Sequence, residues 1–142
     1  MCCGLLNESE TWFNVFQFTA SDNACCTVGD RIPFFMLVQF AEGYFFHFTS
    51  GVGSIGNYII NEPYELSQDY NVIIQQYENS QNIWKYEIVI NDNVIKSVEN
   101  PTPKEFSNVK FYASNPWNHA FTMEYGRIWG VKINGVPIST SL

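Results

Sequence analysis

The chain offers few groups able to do chemistry, and their placement narrows what that chemistry is. It has two histidines, His47 and His119, and no Gly-x-Ser-x-Gly elbow, so a serine-type triad has little to build on. Glycoside hydrolysis needs two carboxyls at a defined separation. The 14 acidic residues instead scatter over turns, as a solvated surface does. Gly51-Val52-Gly53-Ser54-Ile55-Gly56 looks superficially like a nucleotide loop. Ile55 to Ile60 reads as a strand, however, so no helix N-terminus follows to hold a phosphate, and a hairpin loop is the better reading. Catalysis is not expected.

Sugar binding asks for different groups: an exposed aromatic to stack on the apolar face of a pyranose, and amides or carboxylates for its hydroxyls. Asn115-Pro116-Trp117-Asn118-His119 supplies these within one loop, where binding residues tend to sit. The competing reading is that Trp117 folds back to cap the fold, with Pro116 fixing the turn. A second candidate is His47, which strand alternation places on one face with Phe45 and Thr49; there it either meets a sugar hydroxyl or is a satisfied, partly buried histidine. Asn57 and Tyr58 extend the same surface. Trp12, Trp84 and Trp129 fall at core-like strand phases and read as packing residues.

The four cysteines form two vicinal pairs, Cys2-Cys3 and Cys25-Cys26. A tetrahedral zinc site normally wants two to four residues between paired ligands, so this spacing is poor for metal. Neighbouring cysteines rarely bond to each other, because the ring strains the intervening peptide. Three alternatives stay open: a bridge tying the N-terminal tail to the loop before Arg31, bridges between chains, or free thiols. Asn7-Glu8-Ser9 is a glycosylation sequon and favours secretion, whereas Pro101 spoils the one at Asn100. No basic region followed by an apolar core marks a signal peptide. Met1 is therefore either a native cytosolic start or the residue before a mature secreted domain.

The wider composition is that of a folded, acidic, all-β chain and leaves function nearly open. In 142 residues, 14 acidic against 7 basic side chains give a formal charge of −7. That argues against phosphate-backbone binding, which needs clustered Lys and Arg. Charged residues are 15% and hydrophobic ones 46%, which no disordered chain shows. No stretch approaches the ~20 apolar residues of a membrane helix. Ile and Val together number 24 against 10 for Ala and Leu, so β-formers dominate.

Apolar segments punctuated by turn residues predict strands at Trp12–Thr19, Phe34–Phe40, Tyr44–Thr49, Tyr58–Ile60, Asn71–Tyr77, Trp84–Ile90, Val94–Val98, Val109–Ala113 and Arg127–Ile133. Pro63 to Asp69 has room for one short helical turn. Asn91-Asp92-Asn93 and Asn134-Gly135 predict tight hairpins, because Asx and Gly tolerate positive φ. Trp84, Tyr86, Ile88 and Ile90 share one face and Lys85 and Glu87 the other, one dry and one wet. Phe34–Phe40 is apolar on both faces and should be central and covered twice. The expected architecture is all-β: two packed antiparallel sheets in a single domain over 1–142, residues 1–10 being a tail that the cysteines could tie down.

The stretch from Tyr70 to Trp117 carries a resemblance. Tyr70-Asn71-Val72-Ile73-Ile74, then Tyr86-Glu87-Ile88-Val89-Ile90-Asn91-Asp92, then Phe106 to Trp117 ending Ser114-Asn115-Pro116-Trp117, resembles the concanavalin A-like, laminin-G-like jelly roll. More closely, it resembles lectin-like modules of marine invertebrate extracellular proteins, and Gly126-Arg127-Ile128-Trp129-Gly130-Val131 is similar to the closing strand of that module. About half the chain is covered; the first 45 residues match in strand pattern alone. Phe46-His47-Phe48-Thr49-Ser50 keeps the strand histidine of galectins without their His-x-Asn-Pro-Arg, and no Trp-x-x-Glu-x-Arg follows. The Glu-x-Asp-x-x-Glu strand of glycosidases on this fold is absent too, as is an Asp/Asn cluster of the legume calcium type.

The resemblance implies a secreted, non-catalytic carbohydrate-binding module. Its partner would be a glycan or glycoprotein, at His47, Asn57, Asn115, Trp117, Asn118 and His119. No cofactor is expected, calcium having no ligand cluster in its support. The alternative is a self-assembling structural or adhesive protein, a homo-oligomer crosslinked through Cys2, Cys3, Cys25 and Cys26. The fold itself is shared by lectins, adhesion modules and enzymes, so the site must decide.

Overall fold

The computed structural model describes residues 11–23, 27–114, 117, 130, 132–133 and 136–137. Cys2, Cys3, Cys25, Cys26, Asn7, Asn115, Asn118, His119 and Trp129 lie outside them. Ten strands follow in order: β1 (Thr11–Thr19), β2 (Phe34–Phe40), β3 (Gly43–Val52), β4 (Ile55–Pro63), β5 (Val72–Glu78), β6 (Trp84–Ile90), β7 (Asn93–Glu99), β8 (Lys110–Ala113), β9 (Lys132–Ile133) and β10 (Val136–Pro137). They form a five-stranded sheet, β4-β3-β2-β1-β8, a three-stranded sheet, β5-β6-β7, and the β9–β10 pair. Every pairing is antiparallel. The protein is an all-β sandwich, and among the described residues there is no helix.

Alternation sorts the aromatic residues. On the inner face of the large sheet, Phe35 pairs with Phe48 and Leu37 with Phe46, and Phe48 pairs onward with Ile60. Phe35 stacks on Phe48 with ring centres 4.7 Å apart and planes within 7°. Tyr86, Ile88 and Ile90 of β6 close on this layer, with Ile88 and Phe48 both fully buried. Each such side chain contributes about 1.5–3 kcal/mol by leaving water. A bulge in β1, where the register slips between Asn14 and Phe16, lets Val15 join the core beside Phe16.

The chain crosses from the large sheet to the small one after β4. Tyr64 stacks on Phe46 at 4.5 Å and Tyr70 meets the same ring edge-on at 5.0 Å, so the crossing is packed by aromatics. The helical turn expected over Pro63–Asp69 is absent: β4 runs to Pro63, and a simple turn at Leu66 and Ser67 follows. A single amide ties the sheets together beyond β7. Asn100, 2% exposed, accepts the Gly53 N–H at 2.7 Å and donates to Gln76 Oε1 at 2.5 Å.

The turns follow their chemistry. Asn91 and Asp92 both hold positive φ, 49° and 64°, between the paired Ile90 and Asn93, as a two-residue type I′ turn requires. The predicted glycine-rich hairpin is the β3–β4 turn, with Gly53 at φ 61°. Ile133 pairs with Val136 across Asn134-Gly135, the register a two-residue loop gives.

Two expectations are corrected. Trp84 is 36% exposed, because it opens β6 opposite the exposed Glu78 and overhangs the end of the core. Glu87, expected on a wet face, is buried: Gln75 Nε2 donates to its Oε1 at 2.8 Å and the Tyr77 hydroxyl to its Oε2 at 3.1 Å. Hydrogen bonds to both oxygens replace the water that burial removes. Phe34–Phe40 is central as expected, with Phe34 and Val38 buried on one face and Phe35 on the other.

Phe48→Ala should therefore lower the unfolding free energy by about 3–5 kcal/mol. Ile55→Ala, at a 52% exposed position, should stay within about 0.5 kcal/mol. Urea unfolding followed by tryptophan fluorescence reads both.

Candidate functional site

The inner face of the large sheet is almost wholly apolar, whereas the outer face gathers polar groups. Gln17 and Thr19 come from β1, His47 and Thr49 from β3, and Asn57 and Asn61 from β4, with Arg31 entering just before β2. His47 and Thr49 share a face as the sequence suggests, and both are buried, His47 at 7% exposure. The His47 Nδ1 lies 2.6 Å from Asn61 Oδ1, its direct cross-strand neighbour. Trp12 meets the imidazole edge-on at 4.9 Å and Phe40 at 5.7 Å.

Arg31 joins the two candidates that sequence reasoning named on this face. Its Nη1 donates to Asn57 Oδ1 at 2.7 Å and to Thr49 Oγ1 at 3.4 Å, and its guanidinium sits 4.8 Å over the Phe34 ring. The charge reaches His47 as well. Burial lowers the His47 pKa, Asn61 works in the opposite direction, and Arg31 adds to the lowering. Arg31 was not singled out from sequence, although a lone arginine before an apolar run is a visible signal.

A second polar knot lies where the loop after β1 returns towards β2. The Asp30 carboxylate is fully buried and accepts the Thr27 N–H at 2.8 Å, the Asn23 amide at 3.4 Å and the Ser21 hydroxyl. Gln17 Nε2 donates to the Asp30 carbonyl at 2.7 Å. Together these bonds clamp the loop on β1.

The far edge of the same sheet holds the other candidate. Tyr112 of β8 pairs with Gln17, and Trp117 packs on it edge-on, with centres 5.0 Å apart and planes at 70°. The Tyr112 hydroxyl donates to Asp22 Oδ1 at 2.9 Å, and Lys110 forms an ion pair with the same carboxylate. The hydrogen bond from Lys110, then that from Tyr112, holds the Asp22 pKa below the usual carboxylate range, while those bonds raise Lys110 and Tyr112. Lys110 and Asp22 remain about half exposed, and Trp117 is half-buried.

The two halves are not one pocket. β3 and β8 are three strand spacings apart in the sheet, about 14 Å, so His47 and Asn57 stand at one end and Trp117 at the other. The remaining candidates, Asn115, Asn118 and His119, lie outside the described residues. Among the described residues no group of three or more His, Cys, Asp or Glu is placed to hold a metal ion, and no helix is long and apolar enough to cross a membrane. No protein-family model, curated protein or solved structure matches the chain, so the geometry carries the functional argument.

The lowered His47 pKa fixes a sign. Between its folded and unfolded pKa values the unfolded chain binds the extra proton, so stability is full above the unfolded value of about 6.5 and declines as pH falls below it. The urea midpoint should drop from pH 7.5 to pH 5, and His47→Gln should flatten that part of the profile. An unchanged slope in the variant would assign the drop to other groups.

Proposed function

We propose that this chain is an extracellular, non-catalytic carbohydrate-binding module of the concanavalin A-like, jelly-roll type. The observation that carries the reading is the Trp117–Tyr112 pair at the edge of the large sheet, with Asp22 and Lys110 half exposed beside it. An indole against a phenol offers an apolar face for a pyranose ring. A carboxylate and an ammonium within reach supply the acceptor and donors that sugar hydroxyls need. Asp22 stays ionised to low pH because Lys110 and Tyr112 hold it so.

Asn115, Asn118 and His119, adjacent in sequence to Trp117, complete the ligand contacts in this reading. His47 and Asn57 lie on the same face three and four strands away, where with Arg31, Thr49 and Asn61 they form its hydrogen-bonded lining. The aromatic pair at the sheet edge, beside an Asp22 carboxylate engaged by Lys110 and Tyr112, supports a reading of binding without bond cleavage.

A glycan array, run with and without a chelator, tests the proposal. Wild-type protein should bind a defined glycan class, equally in both conditions. Trp117→Ala should weaken that binding at least about tenfold, or ~1.4 kcal/mol, with an unchanged far-UV spectrum and thermal midpoint. An array without hits, or a variant that binds as wild type, would overturn it.

A further inference from the structure

Among the described residues three pairs of tyrosines are in ring contact, and one differs from the other two. Tyr58 and Tyr86 stand 6.5 Å apart with planes at 83°, and Tyr64 and Tyr70 stand 6.2 Å apart at 82°. Such edge-on pairs offer the edge of one ring to the face of the other. Tyr44 and Tyr64 are closer, at 5.9 Å, and their planes are tilted by 48°. Joining two phenols through ring carbons needs two edges, which a tilted pair can bring together and a T-shaped one cannot.

The backbone holds this pair in place. The Tyr64 N–H donates to the Tyr44 carbonyl at 3.0 Å, one step beyond Phe45–Pro63 in the β3–β4 register. The two residues are therefore direct cross-strand neighbours, with their side chains on one face. It is the inner face: alternation along β3 puts Tyr44 with Phe46, and Tyr64 stacks on the Phe46 ring at 4.5 Å. Both tyrosines are half-buried, and neither hydroxyl has a hydrogen-bond partner among the described residues. Tyr70 differs, since its hydroxyl accepts the Glu65 N–H at 2.8 Å and donates to the Glu65 carbonyl at 3.3 Å. The described rings against the pair are Phe46 and Tyr70, so no indole lies beside it to take up a radical.

From this geometry we infer that Tyr44 and Tyr64 are a site of oxidative modification, joined within the chain as dityrosine by a haem peroxidase and hydrogen peroxide. The peroxidase takes one electron and one proton from each phenol. Those two electrons and two protons reduce one hydrogen peroxide to two waters. The two phenoxyl radicals couple through the ring carbons ortho to oxygen, forming one C–C bond. Each coupled carbon then gives up its hydrogen as a proton, and each oxygen regains one. The product is lighter by two hydrogens, with both phenols restored. Burial, then Tyr44 and Tyr70, raise the Tyr64 pKa, so this phenol enters the reaction protonated. A half-buried radical whose partner is already in contact couples within the chain before a second molecule reaches it. The new bond closes the open end of the β3–β4 hairpin, and a crosslink that closes a loop stabilises mainly by restricting the unfolded chain. It depends neither on sugar binding nor on the cysteines.

Treatment of the full chain, at micromolar concentration, with a haem peroxidase and hydrogen peroxide tests this, any disulfides being reduced afterwards. The monomer should gain dityrosine fluorescence and lose the mass of two hydrogens. Digestion should show the Tyr44 and Tyr64 peptides joined, in a yield that does not change with protein concentration. In reductant, the thermal midpoint of the treated protein should lie about 5 °C or more above that of the untreated protein. Tyr44→Phe and Tyr64→Phe remove only an unbonded hydroxyl, so each should keep the far-UV spectrum and lose the monomer's dityrosine fluorescence. Tyr77→Phe, at an exposed position, should keep both. A treated monomer without dityrosine, a different tyrosine pair as the main joined product, or a Tyr44→Phe variant that fluoresces as wild type does would overturn the inference.

Discussion

The double burial of β2 is the constraint on which the rest of the molecule depends. Phe34, Met36 and Val38 face one way and Phe35 the other, and all four are buried. A strand with no wet side must lie inside its sheet and be covered on both faces. The inner cover is the three-stranded sheet, brought in by the aromatic crossing of Tyr64 and Tyr70 over Phe46. On the outer face, the Arg31 guanidinium lies over Phe34, and Trp12 packs on Phe40 and His47. The polar groups of that face are thus drawn into covering an apolar strand, and their hydrogen bonds are the condition of being buried there.

This explains why the chemically richest part of the sheet is not its most accessible part. His47, Thr49 and Gln17 are buried and bonded, whereas Asp22 and Lys110, around Tyr112 and Trp117, face water at the edge. A ligand surface at an edge can change its loop residues without disturbing β2. A ligand surface over Phe34 cannot.

Much of the fold was legible from local pattern. β2 and β6 have the bounds that the apolar runs suggest, and the positive φ at Asn91 and Asp92 follows from residue type. β4 was foreseen as Tyr58–Ile60, or from Ile55 where the glycine loop was read, and in neither case beyond Ile60, because Asn61 and Pro63 are poor strand formers. Pairing along β3 extends it over nine residues against that preference. The site was less legible. Asp22 meets Lys110 and Tyr112 across 88 and 90 positions of chain, a distance over which no spacing rule operates. Glu87 looked like a solvent residue because alternation gives a face and not its neighbours; the exposed Gln75 and Tyr77 bond to its carboxylate and cover it.

Asn100 has a consequence for how the protein ages. Its amide joins the β3–β4 turn to β5, with the oxygen on Gly53 and the nitrogen on Gln76. Deamidation there would replace a donor by a negative charge inside a buried joint. The usual route closes a succinimide ring through the backbone nitrogen of the next residue, and the next residue is Pro101, whose nitrogen carries no hydrogen. Asn134, followed by Gly135, has the opposite setting in the sequence. The amide that joins the β3–β4 turn to β5 is therefore one whose own successor blocks that loss.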